Sequence, residues 1–132
     1  MPALSADQLA FVTERHLATL TTVRADGSPH VVPVAFTWDA EAGRARITTK
    51  VTSVKARNVE QADGAGGLAR AALCQFDGLR WLTLEGHITL SRGPADVAEA
   101  VEAYARRYRL LEFQADRVVL HLAVDRVMGS VR

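Results

Sequence analysis

Both lysines of the chain, Lys50 and Lys55, lie in the stretch ITTKVTSVKARNVEQ, residues 47–61, which also contains Arg57. Four hydroxyl side chains share this stretch: Thr48, Thr49, Thr52 and Ser53. Ammonium, guanidinium and hydroxyl groups all donate hydrogen bonds to anions. The stretch therefore predicts an anion site of the kind that holds a phosphate. The alternative is an ordinary solvated loop in which Ser53 only caps a helix.

The local order of elements supports the anion interpretation. Residues 44–49 alternate as a strand does, and residues 53–61 suit a short helix with Ser53 as its N-cap. A helix start offers unpaired N–H groups and about half a positive charge to an anion. Lys50 and Lys55 bracket the turn and can converge on one phosphate, whereas Arg57 should point elsewhere. A glycine-rich P-loop is absent, so the pattern does not predict an NTPase.

Other side chains with useful chemistry give weaker signals. The four histidines (His16, His30, His87, His121) lack the spacing of a metal site, so no metal is predicted. Cys74 lies in a strand whose residues alternate in polarity, which predicts a buried apolar side chain. Trp81 suggests a core or subunit contact, or alternatively a wall for a planar ligand. The arginines of RRYR, residues 106–109, suit the negative end of a helix, or an acidic substrate. No catalytic residue is identified.

The elements that must position these residues form a meander. Strands are predicted over residues 16–23, 30–38, 44–49, 68–76, 79–91 and 117–127. Helices are predicted after Ser5, over 53–61, and over 93–109 with a stripe of Val97, Val101, Tyr104 and Tyr108. Pro33 predicts an edge strand or a bulge. The pattern indicates one α+β, mainly β domain over residues 1–132, built as a six-stranded antiparallel barrel with short helices.

Bulk composition excludes several classes of function. The length of 132 residues fits one domain, and a formal net charge of +1 favours neither nucleic acid nor an anionic membrane as partner. One cysteine cannot form an internal disulfide. No apolar run has the length of a membrane helix, and the amino-terminal residues lack a signal-peptide pattern. The expectation is a cytoplasmic protein.

Several segments together resemble a known family. These are Thr48-Thr49, SVKARN at 53–58, Asp77-Gly78, Trp81 and Glu85-Gly86. In this order they resemble the pyridoxamine-phosphate-oxidase-like split-barrel flavoproteins, and the resemblance runs from Leu9 to Ser130. The segments ERHLATLTTVRADGSPHVVPVAFT, GLRWLTLEG, YARRYR and DRVMGS are most similar to the branch that uses the deazaflavin coenzyme F-420, and within it to F-420-dependent biliverdin reductases.

The resemblance implies a homodimer with two cofactor sites at the subunit interface. The resemblance also implies that Thr48, Thr49, Ser53 and Lys55 hold the cofactor phosphate and that Asn58 belongs to the same site. The ring would run along Pro33 and Val34, and Trp81 would close the pocket from one subunit or the other. The implied reaction is hydride transfer to a conjugated substrate such as biliverdin, a linear tetrapyrrole whose propionates could meet Arg107 and Arg109.

Two departures from the family pattern leave alternatives open. Close relatives can carry glycine at the position of Lys50, so this residue is assigned either to the phosphate or to the acidic tail of the coenzyme. Many flavin-binding relatives have an arginine where this chain has Ser53. Coenzyme F-420 is therefore the expected cofactor and FMN the alternative. A carrier that binds cofactor or tetrapyrrole without turnover is the non-enzymatic alternative.

Overall fold

The computed structural model describes residues 2–132 and is mainly β with three helices, as predicted. The helices are α1 (Ala6–Thr13), α2 (Val54–Gly64) and α3 (Pro94–Arg107). The strands are β1 (Ala18–Val23), β2 (Pro29–Val34), β3 (Thr37–Asp39), β4 (Arg44–Lys50), β5 (Arg70–Asp77), β6 (Arg80–Ser91) and β7 (Arg117–Ser130). All pairs are antiparallel, in one sheet of order β2-β1-β5-β6-β7-β4-β3.

The predicted number of six strands is wrong, because the predicted strand over residues 30–38 is two strands. β2 ends at Val34 and pairs with β1, whereas β3 begins at Thr37 and pairs with β4. They form the two opposite edges of a seven-stranded sheet that is not closed by hydrogen bonds. Pro33 does lie on an edge strand, as predicted, where its missing N–H removes no interior ladder bond.

The short connection between the two edges determines the shape of the sheet. Only Ala35 and Phe36 separate Val34 from Thr37, and three Cα–Cα steps span at most about 11 Å. Six strand spacings in a flat sheet would place the edges roughly 29 Å apart. The sheet must therefore curl until its edges meet. Its inner face encloses a core that includes Leu20, Ile47, Leu73, Leu84, Leu122 and Phe36.

Helix boundaries follow local capping chemistry. Helix α1 begins after Ser5, as predicted, with a capping box in which the Gln8 backbone N–H donates to Ser5 Oγ at 3.2 Å and the Ser5 N–H donates to Gln8 Oε1 at 2.9 Å. Helix α3 begins at Pro94 and ends at Arg107, two residues before the predicted end. No helix within residues 2–132 is both long and apolar enough to cross a membrane.

The stripe predicted for α3 is not its most buried face. Ala100 and Ala103 are the buried residues of the helix, while Val97, Val101 and Tyr104 are only partly buried. The helix packs on β3, β4 and β7, and small alanine side chains allow its backbone to approach the sheet closely. The prediction followed the spacing of the large apolar residues and therefore overlooked the alanines.

The carboxyl end of α3 fixes the connection between the sheet edges. The guanidinium of Arg107 donates to the carbonyl oxygens of Glu14 and Phe36 and to Gln75 Oε1, at 2.9, 2.5 and 2.6 Å. Tyr108 donates its hydroxyl hydrogen to the His16 carbonyl at 2.6 Å and accepts from the Phe36 N–H at 3.3 Å. These bonds join α1, β5 and the 35–36 connection to one helix end.

Replacement of Arg107 should therefore destabilise the fold. Gln75 is 1% exposed, and without Arg107 its Oε1 atom loses this donor. We expect Arg107→Ala to lower the free energy of unfolding by about 2–3 kcal/mol, because buried acceptors are left unsatisfied. Arg107→Lys should recover only part of this loss, since an ammonium cannot reproduce the planar fork.

Urea unfolding followed by circular dichroism measures this effect. The matched control is Arg106→Ala, at an exposed position one residue earlier in the helix, which should change stability by no more than about 0.5 kcal/mol. Equal midpoints for Arg107→Ala and the control would contradict the assignment.

Candidate anion-binding site

Six of the nine residues predicted to bind a cofactor line one cavity of about 330 Å³. They are Pro33, Val34, Thr48, Thr49, Lys50 and Lys55. The remaining wall residues are Ala35, Tyr104, Leu111, Gln114 and Arg117. The wall thus combines the end of β2, the end of β4, the first turn of α2, one side of α3 and the segment that leads into β7. Because β2 and β4 are brought together by the curl of the sheet, the cavity lies where its two edges meet.

The turn between β4 and α2 is held by its own hydroxyl groups. Ser53 is the N-cap of α2, and its Oγ accepts from the Ala56 N–H at 3.2 Å, as the capping pattern predicts. Thr49 Oγ1 donates to the same oxygen at 2.9 Å. Ser53 is not a wall residue of the cavity. In this structure it orders the turn that places Thr49 and Lys55 on the wall.

Positive charge on this wall has no acidic counterpart. Lys50, Lys55 and Arg117 are its charged residues, and the wall contains no aspartate or glutamate. None of the ion pairs among residues 2–132 involves a lysine. Burial lowers the pKa of the Lys55 ammonium, as expected for a cation that loses water without gaining an anionic partner. An anionic ligand would compensate this cost.

Sequence reasoning missed Arg117, which lies directly opposite Lys50 in the register of β4 and β7. Like charges opposite each other on neighbouring strands destabilise a sheet. One Arg117 nitrogen donates to the Glu112 carbonyl at 3.0 Å, which leaves the positive charge uncompensated. The signal was hidden because the two residues are adjacent only through pairing of strands that are far apart in the sequence.

Two predicted cofactor residues lie away from the cavity. Asn58 Nδ2 donates at 3.0 Å to Oγ1 of Thr22, a buried residue of β1. Trp81 is on β6, where it is the register partner of Phe76 and Ser130, and the residue is 39% exposed. Within a single chain, neither residue lines the cavity that holds the lysines. Their assignment to a cofactor stays a prediction.

The two predicted substrate arginines have different surroundings. Arg109 lines a neighbouring cavity of about 350 Å³ together with Arg15, His16 and Leu17. Tyr104 belongs to the walls of both this cavity and the lysine-lined one. The guanidinium of Arg107, by contrast, donates hydrogen bonds to three protein oxygens. The structure therefore favours a structural role for Arg107 and leaves Arg109 accessible.

One group of metal-type ligands occurs that the sequence did not suggest. Glu14, His16 and Asp77 offer ligand atoms within 4.8 Å of one another. The guanidinium of Arg80 binds Glu14 at 2.8 and 2.9 Å and also contacts Asp77. Hydrogen bonds from Arg80, and to a smaller extent from His16, lower the pKa of the Glu14 carboxyl to about 2. These contacts account for the group as an ion-pair network that ties α1 to the β5–β6 turn.

The chain is similar in sequence to proteins of one known family. Residues 4–129 match the model of the family described as pyridoxamine 5'-phosphate oxidase. Over 127 residues the chain is 47% identical to the F-420H(2)-dependent biliverdin reductase of Mycobacterium tuberculosis (strain CDC 1551 / Oshkosh). The matched region covers 96% of this chain and 88% of that protein.

Solved structures agree on the fold. An F-420 reductase matches with a TM-score of 0.70 and 23% identity, over 90% of this chain and 94% of its own. A conserved hypothetical protein from Mycobacterium tuberculosis matches with a TM-score of 0.78 and 20% identity, over 98% of this chain and 86% of its own. At these identities the likeness concerns the arrangement of helices and strands.

If Lys55 is part of an anion site, its removal should cost binding but not stability. We expect Lys55→Met to lower the free energy of unfolding at pH 7 by no more than about 0.5 kcal/mol, because a desolvated charge is removed with it. Phosphate that replaces chloride at constant ionic strength should raise the melting temperature of the wild type, and should raise that of Lys55→Met less.

The matched control is Arg57→Met, since Arg57 is exposed on the same helix and does not line the cavity. This control should respond to phosphate as the wild type does. Differential scanning calorimetry gives all three melting temperatures. An equal phosphate response in Lys55→Met and the wild type would remove Lys55 from the site.

Proposed function

Because this chain belongs to the pyridoxamine 5'-phosphate oxidase family, we propose that it is an oxidoreductase that uses the reduced deazaflavin coenzyme F-420. The proposed reaction is hydride transfer from the reduced coenzyme to a conjugated tetrapyrrole, which converts biliverdin to bilirubin. The observation that carries the proposal is the convergence of Thr48, Thr49, Lys50 and Lys55 with Pro33 and Val34 on one cavity. The similarity to a biliverdin reductase over nearly the whole chain supports the choice of substrate.

The residues present fit a phosphate-bearing, multiply anionic coenzyme. Lys55 and the hydroxyls of Thr48 and Thr49 would hold its phosphate, since this part of the wall combines a cation with hydrogen-bond donors. Lys50 and its register partner Arg117 would bind the acidic tail of the coenzyme, because they place two cations next to each other at the ends of neighbouring strands. When bound, the reduced coenzyme supplies the hydride.

The edge strand β2 offers a surface for the flat ring. β2 pairs only with β1, so its other side carries backbone N–H and C=O groups that no strand uses. Around Pro33 and Val34, such groups can recognise the polar edge of a pyrimidine ring. The contribution of the protein to the reaction is then to orient two planar molecules and to exclude water between them. A proton from solvent completes the reduction.

The second cavity suits the carboxylates of the substrate. Arg15 and Arg109 lie on its wall, and Tyr104 separates it from the coenzyme cavity. Guanidinium groups bind carboxylates in a bidentate manner, so Arg109 is our choice for a propionate partner. Arg107 is not carried into this proposal, since each of its three guanidinium nitrogens already donates to a protein oxygen.

A homodimer with the coenzyme sites at its interface completes the proposal. The outer face of β5, β6 and β7 exposes Phe76, Trp81 and Met128, which lie on adjacent strands. Contiguous exposed apolar side chains of this kind are typical of subunit contacts. Burial of this face against a second copy would bring Trp81 next to a partner subunit, where it can close a coenzyme site.

Titration of the apoprotein with coenzyme F-420 and separately with FMN tests the proposed cofactor. We expect tight binding of F-420, and Lys55→Ala should weaken that binding by about tenfold or more, as expected for the loss of a charge-assisted hydrogen bond. Biliverdin added to the protein with reduced F-420 should then turn over, as followed by absorbance. Preference for FMN would move the protein to flavin chemistry, and binding without turnover would identify a carrier.

The dimer is tested by sedimentation velocity. We expect the wild type to sediment as a dimer and Phe76→Glu or Met128→Glu to shift it toward monomer, because a charge would be buried at the contact. The matched control is Leu68→Glu, at an exposed position in the segment before β5. A wild type that sediments as a monomer at micromolar concentration would refute the interface.

A further inference from the structure

We propose that the chain has a second binding site, for a small monocarboxylate with an apolar body, between α1, β3, β4 and α3 and separate from the lysine-lined cavity. It is a cavity of about 300 Å³, at the small end of the range for ligand pockets. Residues Leu9, Val12, Thr37, Trp38, Arg46 and Arg106 contribute to its wall. The inference is independent of the proposed coenzyme, because the two cavities share no wall residue.

Two unpartnered donors mark the polar part of this site. Thr37 and Arg46 are register partners on β3 and β4, so their side chains lie next to each other on the face that α3 covers. Thr37 is only 6% exposed, and neither its Oγ1 nor the Nε of Arg46 has a hydrogen-bond partner within residues 2–132. Buried polar groups are nearly always hydrogen-bonded. A ligand that accepts from both a hydroxyl and a guanidinium N–H would satisfy this pair.

The charge of the wall requires that ligand to be an anion. Arg46, Arg106 and Arg107 line the cavity, and its wall has no aspartate or glutamate. Asp39 contacts Arg46 Nη2 at 3.2 Å, but it also binds Arg44 at 3.2 Å, so one carboxylate serves two guanidinium groups. Arg107 donates only to uncharged oxygens. The wall therefore keeps an excess of positive charge.

The rest of the wall requires an apolar body on the same ligand. Leu9 and Val12 of α1, Trp38 of β3 and Ala103 of α3 enclose the space next to the arginines. A bare phosphate or other small, strongly hydrated anion would leave these surfaces unfilled, whereas an alkyl or aryl chain would be removed from water against them. A carboxylate at one end and a hydrocarbon at the other match both parts of the wall.

Calorimetric titration of the wild-type protein with sodium octanoate tests the proposal, with 1-octanol as the uncharged probe of equal chain length. We expect saturable binding of octanoate that is about tenfold or more tighter than that of octanol, because charge-assisted hydrogen bonds are available only to the carboxylate. Thr37→Val and Arg106→Gln should each weaken octanoate binding. Thr37→Val should not lower the unfolding midpoint, since it removes a hydroxyl that has no partner.

Fluorescence locates the bound probe. Trp38 and Trp81 are the two tryptophans of the chain, so Trp81→Phe leaves the wall residue Trp38 as the single reporter. Octanoate should change its emission with the same saturation curve as the calorimetry, and Lys55→Met should leave that curve unchanged. The proposal is overturned by absence of saturable binding, by equal affinity for octanol, or by binding that is lost in Lys55→Met and retained in Thr37→Val.

Discussion

The two-residue connection Ala35–Phe36 is the constraint on which the rest of this structure depends. It joins strands that form opposite edges of one sheet, and its length allows those edges to be no more than about 11 Å apart. The sheet has to curl around its apolar inner face as a result. Arg107 and Tyr108 hold the connection through both polar backbone groups of Phe36. The end of α3 thereby stabilises the curvature of a sheet that no ladder closes.

The lysine-lined cavity is a consequence of the same constraint. Pro33 and Val34 end one edge strand, while the cations and hydroxyls at 48–55 lie at the end of β4, next to the other edge, and in the turn and helix start that follow it. They share a wall only because the edges meet. The backbone segment proposed to bind the ring and the turn proposed to bind the phosphate are thus brought together by the curl, and neither element alone would form the proposed coenzyme site.

Helix α3 contributes to the walls of two cavities, which are both positively charged but differ in chemistry. Lysines and threonines at a strand end and a helix start form one of them, with ammonium groups that suit a multiply charged phosphate ligand. Arginines beside leucine, valine and tryptophan form the other, which suits an amphipathic anion. The first wall has no acidic residue, and in the second Asp39 is shared between Arg46 and Arg44, so both walls keep an excess of positive charge. Such an arrangement costs stability until an anion binds.

The sequence by itself determined the strand–turn–helix unit around Ser53, the capping of α1, the edge position of Pro33 and the concentration of cations at 50–57. Each of these depends on neighbours within a few residues, and local propensity is enough to specify them. Only the tertiary structure decided that residues 30–38 form two strands on opposite edges, that Arg117 faces Lys50, and that Asn58 binds β1. It likewise gave Arg107 its structural role. Those outcomes depend on register and curvature, which are set by contacts between residues distant in the chain and leave no periodic signal in it.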